Sequence, residues 1–197
     1  MSYQGLSSAK RARKGQATSW EFLLACLIFF FTLATAISLW KSTTDRISES
    51  ERFNVFDDTA VNVAEKLVRT RGAPENWTRN NVYVVGLADE PRMLNRSKVG
   101  EFLVLMNDSS FVNTCNDVSI SNYKCNKNLL GVGRFDFYFN MTDINGTTIV
   151  LNNMTCKAGQ TPPFDVDQIT IPRTGILDGT IVRIKLTLWS NYTVVNT

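Results

Sequence analysis

The chain has 197 residues, 44% of them hydrophobic, enough for one domain of ordinary size. Its net charge of +3 belongs to a short N-terminal tail: Lys10, Arg11, Arg13 and Lys14 contribute +4, and the remaining 17 basic residues face 18 acidic ones, a balance of −1. Basicity confined to so short a stretch argues against a nucleic-acid binder. The absence of histidine removes the Ser-His and Cys-His nucleophile arrangements and the commonest general base.

After the cationic tail comes "FLLACLIFFFTLATAISLW", Phe22 to Trp40, in which Thr32, Thr35 and Ser38 are the only hydroxyl-bearing residues. A helix needs roughly 20 apolar residues to cross a bilayer core, so this run is long enough to span. Four cations precede it, whereas Lys41, Asp45 and Arg46 nearly cancel after it. The positive-inside rule then predicts a cytoplasmic N-terminus and an extracellular remainder. A secretory signal peptide would have a shorter apolar core, of about 7–15 residues, and a small-residue cleavage site, which "SLWKSTT" does not offer. A plain signal anchor explains length, charge and orientation, but gives no reason for Glu21 at the mouth of the run.

Past Trp40 the helical pattern continues. Ile47, Phe53, Phe56, Ala60, Val63, Ala64 and Leu67 recur at spacings of three and four, with charged residues between them. No proline or glycine intervenes between Gly15 and Gly72, and "RTRGAP" supplies late cations, a glycine and a proline that end the helix. A long helix over 16–71 is therefore predicted, greasy all round over about 22–40 and amphipathic beyond.

From residue 72 to 197 the pattern is mostly β. "VYVVG" (82–86) reads as a short strand, and Asn95 as the N-cap of a helix carrying Val99, Phe102, Leu103 and Met106. Phe135, Phe137 and Phe139 alternate ahead of Asn145-Gly146, a hairpin signal, and "QITIPRTGILDGTIVRIKLTLW" repeats the plan around Asp178-Gly179. Ile184, Leu186 and Leu188 form the inward face of the last strand. The expected fold class is α+β: a long N-terminal helix packed on an antiparallel β-rich C-terminal domain, burying Phe53, Phe56, Val63 and Leu67.

Outside the apolar run, Cys115, Cys125 and Cys156 allow three pairings. Cys115 and Cys125 bracket a short polar loop and are the expected disulfide, with Cys156 unpaired or joined to another subunit. Without C-x-x-C or histidine, no metal site or other cofactor is expected. Asp165-x-Asp167 and Asp143-x-Asn145-Gly146 read as solvated turns in preference to cation ligands. Seven N-x-S/T sequons, at Asn76, Asn95, Asn107, Asn140, Asn145, Asn153 and Asn191, all lie on the predicted outer side and are candidates for glycosylation. The reading is of a structural protein, not an enzyme.

The leader "RKGQ", Glu21, the apolar helix and its amphipathic continuation resemble an archaeal type IV pilin-like protein with a class III signal peptide. The outer stretches "AEKLVRTRGAPENW", "VYVVGLADEPRMLNRSKVGEF" and "IPRTGILDGTIVRIKLTLW" are similar to outer domains of such proteins. The resemblance implies cleavage by a prepilin peptidase at Lys14-Gly15-Gln16, removing 1–15. It also implies assembly with other pilin subunits and the pilus machinery into a surface filament. In that family the acid is the fifth mature residue, whereas Glu21 is sixth counted from Gln16 and becomes fifth only if the cut follows Gln16. The resemblance gives Glu21 the role of pairing with a neighbouring subunit's new α-amino group. The bland alternative is an acid placed to suit the helix macrodipole. Two other functions fit the same residues: a surface adhesin or receptor that never polymerises, and a pseudopilin of a secretion or uptake machine.

Overall fold

The computed structural model describes residues 13–107, 115 and 119–190. The chain divides into two units, Met1–Arg52 and Phe53–Thr197. In the first, all the described residues are helical. They belong to α1, Arg13–Arg69, whose remainder lies in the second unit.

The second unit is α+β. Its strands are β1 (Ala88–Glu90), β2 (Met93–Leu94), β3 (Asp136–Thr142), β4 (Val150–Leu151), β5 (Met154–Thr155), β6 (Lys157–Gly159), β7 (Gln168–Leu177) and β8 (Thr180–Trp189). Two further helices are α2 (Arg96–Met106) and α3 (Asn122–Asn126), the latter running into a 3-10 turn at Lys127–Leu130. Six strands form one sheet in the order β1-β2-β7-β8-β3-β6, and β4 pairs with β5 in a separate ribbon. The β2–β7 pairing is parallel and the others are antiparallel. The single predicted antiparallel sheet is thus mostly, but not wholly, antiparallel.

Local chemistry accounts for the principal elements. At the β7–β8 hairpin Leu177 pairs with Thr180, leaving a two-residue loop in which Asp178 (φ 50°) and Gly179 (φ 78°) both take positive φ. That is the backbone a type I′ turn demands. Asn95 caps α2, its Oδ1 accepting from the Lys98 N–H at 3.0 Å. The alternating residues Val182, Ile184, Leu186 and Leu188 of β8 are buried beside Phe137, Phe139 and Met141 of β3. Phe102 of α2 meets the Phe139 ring edge-on at 5.1 Å, and Phe56 of α1 lies 4.9 Å from Phe135.

Three expectations need correction. Phe53 is 62% exposed and Ile47 54%, so the buried stripe of α1 begins at Phe56 and continues through Ala60, Val63, Ala64, Leu67 and Val68. Residues 82–86 do not form a strand, apart from one isolated bridge between Val84 and Ala73. Instead this stretch and its continuation saturate backbone groups elsewhere. Val85 N–H donates to Leu129 (3.1 Å), Leu87 N–H to Leu67 (2.9 Å), Ala88 N–H to Thr70 (3.1 Å) and Arg92 N–H to Val68 (2.7 Å). The last carbonyls of a helix have no partner inside it, and these donors supply one. Finally, the chain does turn at Asn145-Gly146, but the return is only a bridge, Thr142 to Thr148. The long partners of β3 are β8 and β6.

Candidate functional site

The apolar part of α1, Trp20–Ile47, spans 28 residues, and its most apolar 18-residue window has a mean hydropathy of 2.5 with no share buried within the chain. It is long and apolar enough to cross a membrane. Its helical backbone closes its own hydrogen bonds, and four of its hydroxyls do the same, those of Thr32, Thr35, Thr43 and Thr44. Thr32 Oγ1 donates to the Phe29 carbonyl and Thr35 Oγ1 to the Thr32 carbonyl, both at 2.8 Å. Such back-bonding removes the cost that free hydroxyls would carry in an apolar setting. Glu21 sits at the edge of this surface between exposed Trp20 and Phe22. No hydrogen bond or ion pair reaches its carboxylate among the described residues. Lys14, Gly15 and Gln16 fall near the N-terminal end of α1.

In the second unit Cys115 and Cys125 are joined in a disulfide and Cys156 is a free thiol, as is Cys26 in the first unit. Cys156 is fully buried, and burial pushes its thiol up to about 11. Enclosure of this kind disfavours the thiolate that disulfide exchange needs.

The sequons fall into two groups. Asn76, Asn145 and Asn153 are exposed, which leaves their amides open to a glycan. Asn95, Asn107 and Asn140 are half-buried and hydrogen-bonded within the fold. Asn95 Nδ2 donates to Asp89 at 2.7 Å, Asn107 Nδ2 to the Lys157 carbonyl at 3.0 Å, and Asn140 Oδ1 accepts from Thr148 at 3.4 Å. Asn191 lies outside the described residues.

The acidic turns resolve into ordinary chemistry. Asp143 Oδ1 accepts from the backbone N–H of Asn145 (2.9 Å) and of Thr147 (2.8 Å), so this carboxylate holds the turn together. Asp165 and Asp167 are exposed on a loop. Polar groups elsewhere secure the fold. Arg79 grips Glu101 through two nitrogens at 2.7 and 2.6 Å, and those hydrogen bonds hold the Glu101 carboxyl below its usual range. The Tyr123 hydroxyl donates to Asp136 at 3.0 Å and accepts from the Phe137 N–H at 2.8 Å. Burial is the main reason its phenol is pushed well above the ordinary value.

What these features define is an α+β protein with, among the described residues, one exposed apolar N-terminal helix long enough to cross a membrane. Compared with known proteins, the chain matches no protein family, no curated protein and no solved structure. One cluster escaped the sequence: Arg92, Arg173 and Arg183 line a common cavity. About eighty residues separate the first from the second, and only the β1–β2 turn and the β7–β8 register bring them together.

Proposed function

We propose that the chain is a structural subunit of an archaeal type IV pilus-like surface filament, a minor pilin included. In this reading prepilin peptidase removes the leader at Gly15 or Gln16, and the exposed helix joins subunits in the filament core. The single observation that carries it is the division of labour along α1. Residues 20–47 present bare apolar side chains, while Phe56 to Val68 of the same helix are committed to the core of the outer unit. A membrane anchor alone would need the first feature, and it would need neither a cation-glycine leader nor an acid at the mouth of the run. The N-terminus is cytoplasmic and the outer unit extracellular in this proposal, which the cations of the leader support.

The test is N-terminal sequencing of protein from membranes and from sheared filaments. Chains beginning at Gln16 or Ala17 in both fractions are expected. Recovery only of chains that retain Lys10 to Gly15 from cells with an active prepilin peptidase would leave an uncleaved, anchored surface protein instead.

A further inference from the structure

We propose that Arg92, Arg173 and Arg183 form a binding site for an oxyanion group, carried by an acidic polysaccharide or supplied as a small free anion. The site stands apart from the filament reading and uses only the outer unit. Its cavity, about 250 Å³, is lined by these arginines with Pro172 and Thr174. That lies below the ~300–1,000 Å³ of sites for drug-sized ligands, so a single anionic group or sugar ring is the scale that fits.

Three features of the site point to an anion. First, two of the three cations are not neutralised. Arg92 and Arg183 are exposed, and neither guanidinium has an ion pair or hydrogen bond among the described residues. Arg173 differs, because Glu65 Oε1 lies 2.9 Å from its Nε, while Glu65 Oε2 lies 3.1 Å from Arg69 Nε. Glu65 is thus shared between Arg173 and Arg69. Secondly, Arg173 is held at the wall of the cavity. Its Nη1 donates to the Pro172 carbonyl at 2.9 Å, and its Nε lies 2.9 Å from Glu65 Oε1. Guanidinium forks match carboxylate, sulfate and phosphate oxygens, and Thr174 lines the same cavity.

Thirdly, the cluster is fixed in place. Arg92 adopts φ 70° and is pinned from both sides, its N–H donating to Val68 and its carbonyl accepting from Ile176, each at 2.7 Å. Thr174 and Arg183 are directly paired across β7 and β8, and so share one face of the sheet. Lys185, two residues along from Arg183, is exposed on that same face and extends the positive field past the cavity.

The experiment uses the full chain in detergent micelles at low ionic strength, titrated with inorganic phosphate and, separately, with a sulfated oligosaccharide, by calorimetry. Saturable binding is expected, weakening as salt is raised. Arg183→Gln and Arg92→Asn, the latter chosen because asparagine tolerates positive φ, should each weaken binding by roughly ten-fold or more. Arg183→Lys keeps the charge but loses the fork, and should fall between wild type and Arg183→Gln. Lys124→Ala, an exposed cation elsewhere, should bind as wild type does. If Arg92→Asn fails to fold, the exposed strand position Arg183 carries the test alone. Saturation by phosphate with no gain from the oligosaccharide identifies a small free anion; tighter binding of the oligosaccharide identifies a polymer. No saturable binding of either probe, or equal binding by wild type and Arg183→Gln, overturns the site.

Discussion

Gly86 shows how little room a single position can leave. A β-carbon there would collide with the Thr70 carbonyl oxygen and lie 2.5 Å from the Gly72 nitrogen, both backbone atoms that cannot swing aside. The same residue's carbonyl accepts the Trp77 indole N–H at 2.8 Å. The glycine therefore lets the segment after Trp77 lie directly on the end of α1, where the helix carbonyls are being capped. Gly86→Ala should destabilise the outer unit by about 1–3 kcal/mol or more, the ordinary cost of overpacking. Thermal unfolding of wild type and variant would measure it, and an unchanged midpoint would show that the backbone yields more easily than the geometry implies.

At the scale of elements, the β7–β8 hairpin offers a cleaner contrast. A β-carbon at Gly179 would meet nothing within 4 Å, yet its φ of 78° is strained for any L side chain. Gly179→Ala should therefore cost only the backbone term, about 1–2 kcal/mol, and chemical denaturation should show the loss without a change in the β7–β8 register. This hairpin was legible in the sequence because its information is local: Asp178-Gly179 sets the turn, and two-residue periodicity sets which face is buried. The N-cap of α2 and the alternating phenylalanines of β3 were legible for the same reason. Residues 82–86 misled because buried apolar side chains look like a strand whether their backbone bonds to another strand or to the end of a helix. The parallel β2–β7 pairing left no mark, since two residues of β2 carry no period. Nor did α3, which at five residues is too short to show a helical repeat. Phe53 sits in the correct helical register for the core, but the buried stripe starts one turn later.

Of the candidate sites, the apolar helix was written plainly in composition and the arginine cavity was not, because it exists only where a turn and two strands meet. The proposed function turns on the first of these, and on Glu21 within it. A carboxylate enclosed by apolar helices without a partner is very costly. In a lone membrane anchor Glu21 stays at the interface, and replacing it should be neutral. In a filament core its partner would be the α-amino group that cleavage creates on a neighbouring subunit. Glu21→Ala then leaves that ammonium buried and unpaired. Truncating one member of such a pair costs roughly 3–5 kcal/mol, enough to lower incorporation far below that of wild type. The replacement removes no contact of the outer unit, whose core begins at Phe56. Glu21→Ala should therefore be processed and displayed normally, yet be depleted from sheared filaments when compared with wild type at equal membrane abundance. Equal incorporation of the two would remove the carboxylate from the assembly mechanism and return the balance to an anchored surface protein.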